Sequence, residues 1–208
     1  MCGRFTQTKT REEVLKQLGE VELPPLFHGR YNVAPTQNVA VFRQSNPTKA
    51  QQCIWGFQNP HSGALVINAR SETLAERPMF KDLLAANRCL IPADGFYEWK
   101  GKQPYYFQTL KQQLFGFAGL WREGRCVIIT RAADQNMQGI HHRMPVIIDQ
   151  TQWNNWLASP GKVTSALTIV SSDVTPQLTS RPVSRRVNKV VNDDAGCLDP
   201  GEIQGDLF

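Results

Sequence analysis

No uninterrupted apolar run in this sequence approaches the roughly 18–20 residues that cross a bilayer as a helix, so no membrane partner is expected. The N-terminus also lacks the basic and apolar regions of a secretory signal, which leaves a cytoplasmic location as the expectation. Cysteine is scarce: Cys2, Cys53, Cys89, Cys126 and Cys197 are five, an odd number without a C-x-x-C pair. That excludes a disulfide framework and a zinc ribbon. Cys53, Cys89 and Cys126 fall in apolar runs and read as small buried hydrophobes in a reducing compartment. Histidine is scarcer still, and the only close pair, His141 and His142, is adjacent and expected to point in different directions. No metal and no cofactor are therefore expected. There is no internal repeat and no linker that would divide the chain.

What is present is an ordinary globular composition, 41% hydrophobic and 20% charged, over 208 residues. That length suits one domain with a sizeable core. A net charge of +5 suits a polyanionic partner, though many basic proteins bind nothing anionic.

Thr10-Arg11-Glu12-Glu13 fits a capping box, with Val14, Leu15 and Leu18 on one face and Gly19 as a stop. Leu23-Pro24-Pro25 opens a loop. Val39–Arg43 and Gln51–Phe57 read as strands around a turn at Ser45-Asn46-Pro47. Leu65–Ile67 reads as a strand ending on Asn68-Ala69-Arg70, and 71–86, interrupted by Pro78, as one or two short helices. From Arg88 to Thr130, short apolar and aromatic runs alternate with Gly101, Gly116, Gly119 and Gly124, which argues for a barrel or a strongly bent sheet. A strand at Val146–Ile148, a helix opened by Asp149, and a late strand at Leu167–Val170 follow. The fold class expected is α+β: a single domain with a strongly bent, barrel-like, mainly antiparallel β-sheet core flanked by short helices. It spans 1–192, followed by a polar, acidic and mobile tail over 193–208.

The chemistry concentrates at Met1-Cys2-Gly3-Arg4. Removal of Met1 leaves Cys2 with an α-amine of pKa about 7.7–8.0 beside a thiol of about 8.5, so both reactive forms exist near neutral pH. An amine condenses with an aldehyde to an imine, and the adjacent thiolate closes on the imine carbon to a five-membered thiazolidine. The same thiol can instead attack an acyl carbon, with its own amine as base. Three polar clusters offer support. Asn68-Ala69-Arg70-Ser71-Glu72 follows a strand, where a sheet presents side chains to a ligand. Glu98 lies between Tyr97 and Trp99, where apolar surroundings raise a carboxyl pKa, unless alternation turns it to water. His141 and His142 precede a proline-fixed strand. Arg4, Arg70, Arg131 and Arg143 stand beside these clusters, and Arg181–Lys189 forms a basic stretch suited to phosphate contacts.

Taken in order, these motifs resemble the SRAP family, the SOS response-associated peptidases that shield abasic sites. The resemblance runs from Met1-Cys2-Gly3-Arg4-Phe5 through Tyr31–Pro35, Trp55-Gly56, Asn68–Thr73, Ile91–Trp99, Phe117–Trp121, Thr130–Ala133, Ile140–Val146 and Pro182-Val183-Ser184. It implies covalent capture of ring-opened abasic sites in single-stranded DNA by Cys2. In that scheme Asn68 orients the terminus and the opened sugar, Glu98 serves the proton transfers, and His141 handles sugar-hydroxyl protons and crosslink reversal. Arg4 and Arg70 match phosphate-binding arginines, and Asn32 and Pro35 match contacts near the flipped-out sugar. Thr130, Ser184 and Arg185 fall in the motifs taken to face DNA. Between Phe57 and Asn68 the family has a longer aromatic segment. Here the segment is short, which leaves Trp55 with Phe57 to unstack bases.

The ending Gln204-Gly205-Asp206-Leu207-Phe208 resembles peptides that dock into the bacterial replication sliding clamp through residues such as Gln204, Leu207 and Phe208. Such docking would place the protein at the nucleoid and replication fork. Two other function classes stay open at this point. One is an N-terminal-nucleophile amidohydrolase or glutaminase using Cys2. The other is a non-catalytic single-stranded DNA-binding module, which would bind in a salt-reversible way with no covalent product.

Overall fold

The computed structural model describes residues 2–25, 27–158, 161, 163–172 and 176–201. The first half of the chain contains β1 (Phe5–Gln7), α1 (Arg11–Leu18), β2 (Arg30–Val33), β3 (Asn38–Arg43), β4 (Asn46–Trp55), β5 (Phe57–Gln58), β6 (Leu65–Val66) and β7 (Asn68–Arg70). After α2 (Leu83–Ala86) come β8 (Arg88–Ala93), β9 (Gly95–Lys100), β10 (Gln103–Thr109), β11 (Phe115–Arg122) and β12 (Arg125–Ala132). The chain continues through β13 (Arg143–Pro145), β14 (Ile147–Ile148), α3 (Trp153–Trp156), α4 (Val163–Ser171) and β15 (Leu178–Pro182).

The expected barrel is there. Strand β3 pairs with β4 and β8, β8 with β11, β11 with β12, and β12 with β4, which closes a ring of five strands. Only β12 makes parallel pairs among the named strands, with β4 and β7; the rest are antiparallel. Closure removes the exposed edges that an open sheet must protect. A second sheet runs β15-β10-β9-β1-β2.

Alternation along the ring strands sorts their side chains into two cores. Val39, Val41, Cys53, Cys89, Ile91, Cys126 and Ile128 pack with Phe5 and Phe96 of the second sheet. Ala40, Phe42, Leu90, Ala118, Val127 and Ile129 pack instead with Val14, Leu84, Trp156 and Val170 of the helices. Cys53, Cys89 and Cys126 are buried free thiols, as expected of small core residues.

Helix α1 carries the capping box read from the sequence: Thr10 accepts from the Glu13 amide, and Glu13 accepts from the Thr10 amide. Four other expectations need correction. The turn before β4 is at Gln44-Ser45, and Asn46 already pairs with Arg43. Asn68–Arg70 is a strand in its own right, laid parallel on β12. Leu167–Val170 belongs to α4; Ala166 and Val170 lie four residues apart on its buried face, and that packing overrides the β preference of the branched residues. Residues 193–201 were expected in a mobile tail but are packed. Asp193 accepts from the amides of Tyr31 (2.6 Å) and Asn32 (2.8 Å) and pairs with Arg30, satisfying the open edge of β2. Cys197 is buried behind it against Tyr97 and Val187.

The short strand β1 is fixed by the turn between β8 and β9. Buried Asp94 accepts from Thr6 Oγ1 (2.5 Å), Thr8 N (2.6 Å), Thr8 Oγ1 (2.7 Å) and Lys9 N (3.1 Å). The next residue has to be glycine, because a Cβ on Gly95 would sit 2.1 Å from the Tyr106 hydroxyl, itself bonded to Thr6 at 3.0 Å. Asp94→Ala leaves four donors without their acceptor. Urea unfolding should show it destabilised by about 3 kcal/mol, with Asp94→Asn intermediate.

Candidate active site

The N-terminal segment is built into the second sheet, not left fraying. Strand β1 lies between β9 and β2, and the Tyr97 amide donates to the Arg4 carbonyl at 2.9 Å, carrying the pairing beyond Phe5. Phe5 anchors it from below, 5.2 Å from the Trp55 ring and 5.5 Å from Phe117. Cys2 is consequently fully buried. Its carbonyl accepts from Asn68 Nδ2 at 2.9 Å, the link that ties the terminus to β7. Asn68 Oδ1 is buried and has no hydrogen-bond partner among the described residues.

Burial pushes the Cys2 thiol far up, and the charge of Glu98 adds to the shift. Glu98 is 3% exposed, so the alternation that would have turned it to water does not apply. Its neighbour Trp99 is half-buried and lies under Arg4, whose guanidinium carbon is 6.0 Å from the ring. Burial raises the Glu98 carboxyl from 4.5 to about 7. A group balanced there gives and takes protons near neutral pH.

His141 is half-buried just ahead of β13. Its Nδ1 lies 3.0 Å from the Arg143 amide, which donates to it, and 3.0 Å from the Arg143 carbonyl. Burial lowers its pKa, which favours the neutral ring. The two histidines do not diverge as expected: their rings stack 4.5 Å apart at 27°. Among the described residues no group of three or more His, Cys, Asp and Glu side chains is arranged to hold a metal.

The residues expected to contact DNA divide by exposure. Arg70 is exposed and, with Asn68, Arg77, Met79 and Arg122, borders a groove of about 640 Å³. Arg185 is exposed, Pro35 is half-buried in the turn after β2, and Ser184 caps a 3-10 turn by accepting from the Arg186 amide. Arg4 is half-buried and donates to Asn32 Oδ1 (2.7 Å) and the Val187 carbonyl (2.6 Å). Asn32 is fully buried; its Nδ2 donates to the carbonyls of Val187, Lys189 and Asn192, so it joins β2 to the C-terminal segment. Thr130 is buried and accepts from Arg143. Trp55 is buried with its Nε1 donating to Ile67, and Phe57 is buried beside Phe80, so neither ring offers a face to a base. Gln204, Leu207 and Phe208 lie outside the described residues.

Sequence reading gave no role to Glu72, although it stands in the Asn68 motif. Its carboxylate takes both ends of the Arg143 guanidinium, at 2.6 and 3.0 Å. An acid four residues after Asn68 and a base two after His141 were the available signal. Their pairing only appears once β7 and β13 are seen on β12.

A family profile described as SOS response associated peptidase (SRAP) matches residues 1–190. The chain is 37% identical over 179 residues to the abasic site processing protein YoqW of Bacillus subtilis, covering 76% of this chain and 80% of that one. It is 33% identical to the abasic site processing protein YedK of Escherichia coli, covering 96% and 100%. The abasic site processing protein HMCES of Gallus gallus is 32% identical over 78% of this chain and 54% of its own. Among solved structures, a protein of Bacteroides thetaiotaomicron superposes with a TM-score of 0.80 at 20% identity, covering 96% and 100%, which speaks to fold alone. A phage-related protein of Bordetella bronchiseptica gives 0.72 at 28% identity, covering 88% and 94%.

The raised Glu98 pKa also makes a statement about stability. Folding holds that proton, so the contribution is whole below the ordinary carboxyl pKa of 4.5 and is lost as pH rises to about 7. Glu98→Gln should therefore be more stable than wild type at pH 8 by about 1–3 kcal/mol in urea unfolding, and should lose that advantage at pH 4.

Proposed function

The chain belongs to the SOS response associated peptidase (SRAP) family, and from that membership we propose that it captures abasic sites in single-stranded DNA as a covalent adduct of Cys2. The observation that carries the reading is the hold on Cys2: a strand-anchored residue whose carbonyl is fixed 2.9 Å from Asn68, electrostatically coupled to a buried Glu98. The names of the relatives support the same substrate.

The chemistry follows from the groups present. Hydrolysis of the Met1–Cys2 bond releases the α-amine, and a self-cleaving activity limited to that bond is part of the reading. The amine adds to the C1′ aldehyde of the opened sugar, and the resulting carbinolamine loses water to give an imine. Glu98, with a pKa of about 7, supplies the proton with which that water leaves. The thiol then adds to the imine carbon, its proton passes to the nitrogen, and a thiazolidine results. Overall one water is lost. His141 serves the sugar hydroxyl and the reverse reaction. The high thiol pKa in this buried site means that Cys2 transfers its proton as it attacks; it does not wait as a thiolate. While the imine persists it acidifies C2′ and allows β-elimination of the 3′ phosphate, a lyase outcome. Ring closure removes that electron sink.

Arg70 and the arginine-bordered groove next to Asn68 suit the phosphates of the bound strand. The terminal Gln204–Phe208 peptide is proposed to bring the protein to the replication clamp.

Denaturing electrophoresis of the Met1-free protein with abasic single-stranded DNA should give a shifted, heat-stable band. Cys2→Ala, with Met1 also removed, should keep an amine able to form an imine and to cleave, yet give no heat-stable band. A heat-stable adduct from Cys2→Ala overturns the thiazolidine. Deleting residues 204–208 should abolish clamp binding and leave crosslinking at the wild-type rate; unchanged clamp binding ends that part of the proposal.

A further inference from the structure

Two of the residues assigned above come from separate strands that share β12 as a neighbour. Asn68 opens β7, whose pairs on β12 are Asn68 with Ile128 and Arg70 with Thr130. His141 lies two residues before β13, whose pairs are Arg143 with Ala132 and Pro145 with Thr130. The Arg143 guanidinium spans the gap. One of its nitrogens donates to the Thr130 carbonyl at 2.8 Å, and the fork closes on both carboxylate oxygens of Glu72 in the 3-10 turn that follows β7. The arginine is 11% exposed, and a bidentate pair in that setting fixes orientation as well as distance.

The same residue holds the imidazole through its main chain. His141 Nδ1 lies 3.0 Å from both the amide nitrogen and the carbonyl oxygen of Arg143. With Nδ1 unprotonated, the amide donates to it. With Nδ1 protonated, it donates to the carbonyl. Nδ1 therefore has a partner in either state. This requires the peptide of residue 143 to stay within a few tenths of an ångström of one place.

We propose that Glu72 is a positioning residue for His141: its bridge to Arg143 locks that residue so that its peptide serves both protonation states of the ring. The role rests on the reading of His141 as a proton carrier, but its geometry can be tested without any reaction. Arg143 is a poorer site for mutation because its side chain also supports Thr130. Glu72 is half exposed; its carboxylate meets the Arg143 guanidinium and the backbone of Ala132 on β12.

The test uses full-length, Met1-free protein carrying Glu72→Ala, Glu72→Gln, His141→Ala and the Glu72→Ala/His141→Ala pair. Single-turnover crosslinking and crosslink reversal should slow by about 10–100-fold in Glu72→Ala, the scale of loss when a reacting group moves by about 1 Å. Glu72→Gln, which still accepts one bond from the guanidinium, should recover part of it. In the His141→Ala background, Glu72→Ala should have no further effect on either rate. Affinity for undamaged single-stranded DNA should not fall in any variant. Independently, the 15N shift of His141 Nδ1 should report a hydrogen-bonded nitrogen in wild type and a solvent-exchanging one in Glu72→Ala. Equal losses from Glu72→Ala in the presence and absence of His141 would overturn the proposal, as would an unchanged His141 Nδ1 shift. If wild type forms no crosslink, the functional reading fails by itself and the 15N measurement still decides the positioning role.

Discussion

The structure depends on a three-residue strand, β1, held between β9 and β2. Chain termini usually fray, since a few residues cannot bury enough surface to offset the entropy of ordering them. Here the ordering is supplied from elsewhere in the chain. Asp94 gathers four donors from Thr6, Thr8 and Lys9, Phe5 is seated between Trp55 and Phe117, and Asn68 bonds to the Cys2 carbonyl. Each contact is ordinary. Together they place residue 2 against a buried carboxyl, where its position is set by two sheets.

Burial then determines the protonation of the site. It raises Cys2 and Glu98, whose charged forms lose hydration, and lowers His141 for the same reason. All three groups are pushed toward neutrality. A neutral thiol is protected against adventitious oxidation and alkylation, because the thiolate is the reactive form. In the proposed reaction a proton moves within the site, which links Cys2 to the groups around it. The Glu72–Arg143 pair lies at the edge of this apolar region, where one partner still reaches water.

Much of this was legible in the sequence. The capping box of α1 is a local pattern with a local cause, and it formed as read. The short strands between Arg88 and Thr130 were marked by their glycines and aromatics, and a barrel follows when such strands alternate consistently. Other features depended on partners far away in the chain. Asn68–Arg70 looks like a strand end because its hydrogen bonds go to β12, sixty residues on. Leu167–Val170 carries β-branched side chains, and only the helices around it decide that it is helical. The acidity of 193–199 suggested a solvated tail, yet Asp193 completes the edge of β2 and Asp194 caps a turn. Trp55 illustrates the converse. An aromatic residue close to a motif expected to face DNA is equally suited to a core, and the pairing with Phe5 settled it there.

The long reach of the contacts around β1 has a further consequence, one of timing during synthesis. Residue 2 is made early, but Asn68, Asp94 and the β9 residues that pair with β1 are made 66 to 94 residues later. At about 5–20 residues per second, the N-terminus stays open for on the order of ten seconds before its sheet can close over it. An enzyme that trims Met1 has that interval in which to reach an unfolded end. Once the sheet has closed, residue 2 is fully buried and its carbonyl is held by Asn68.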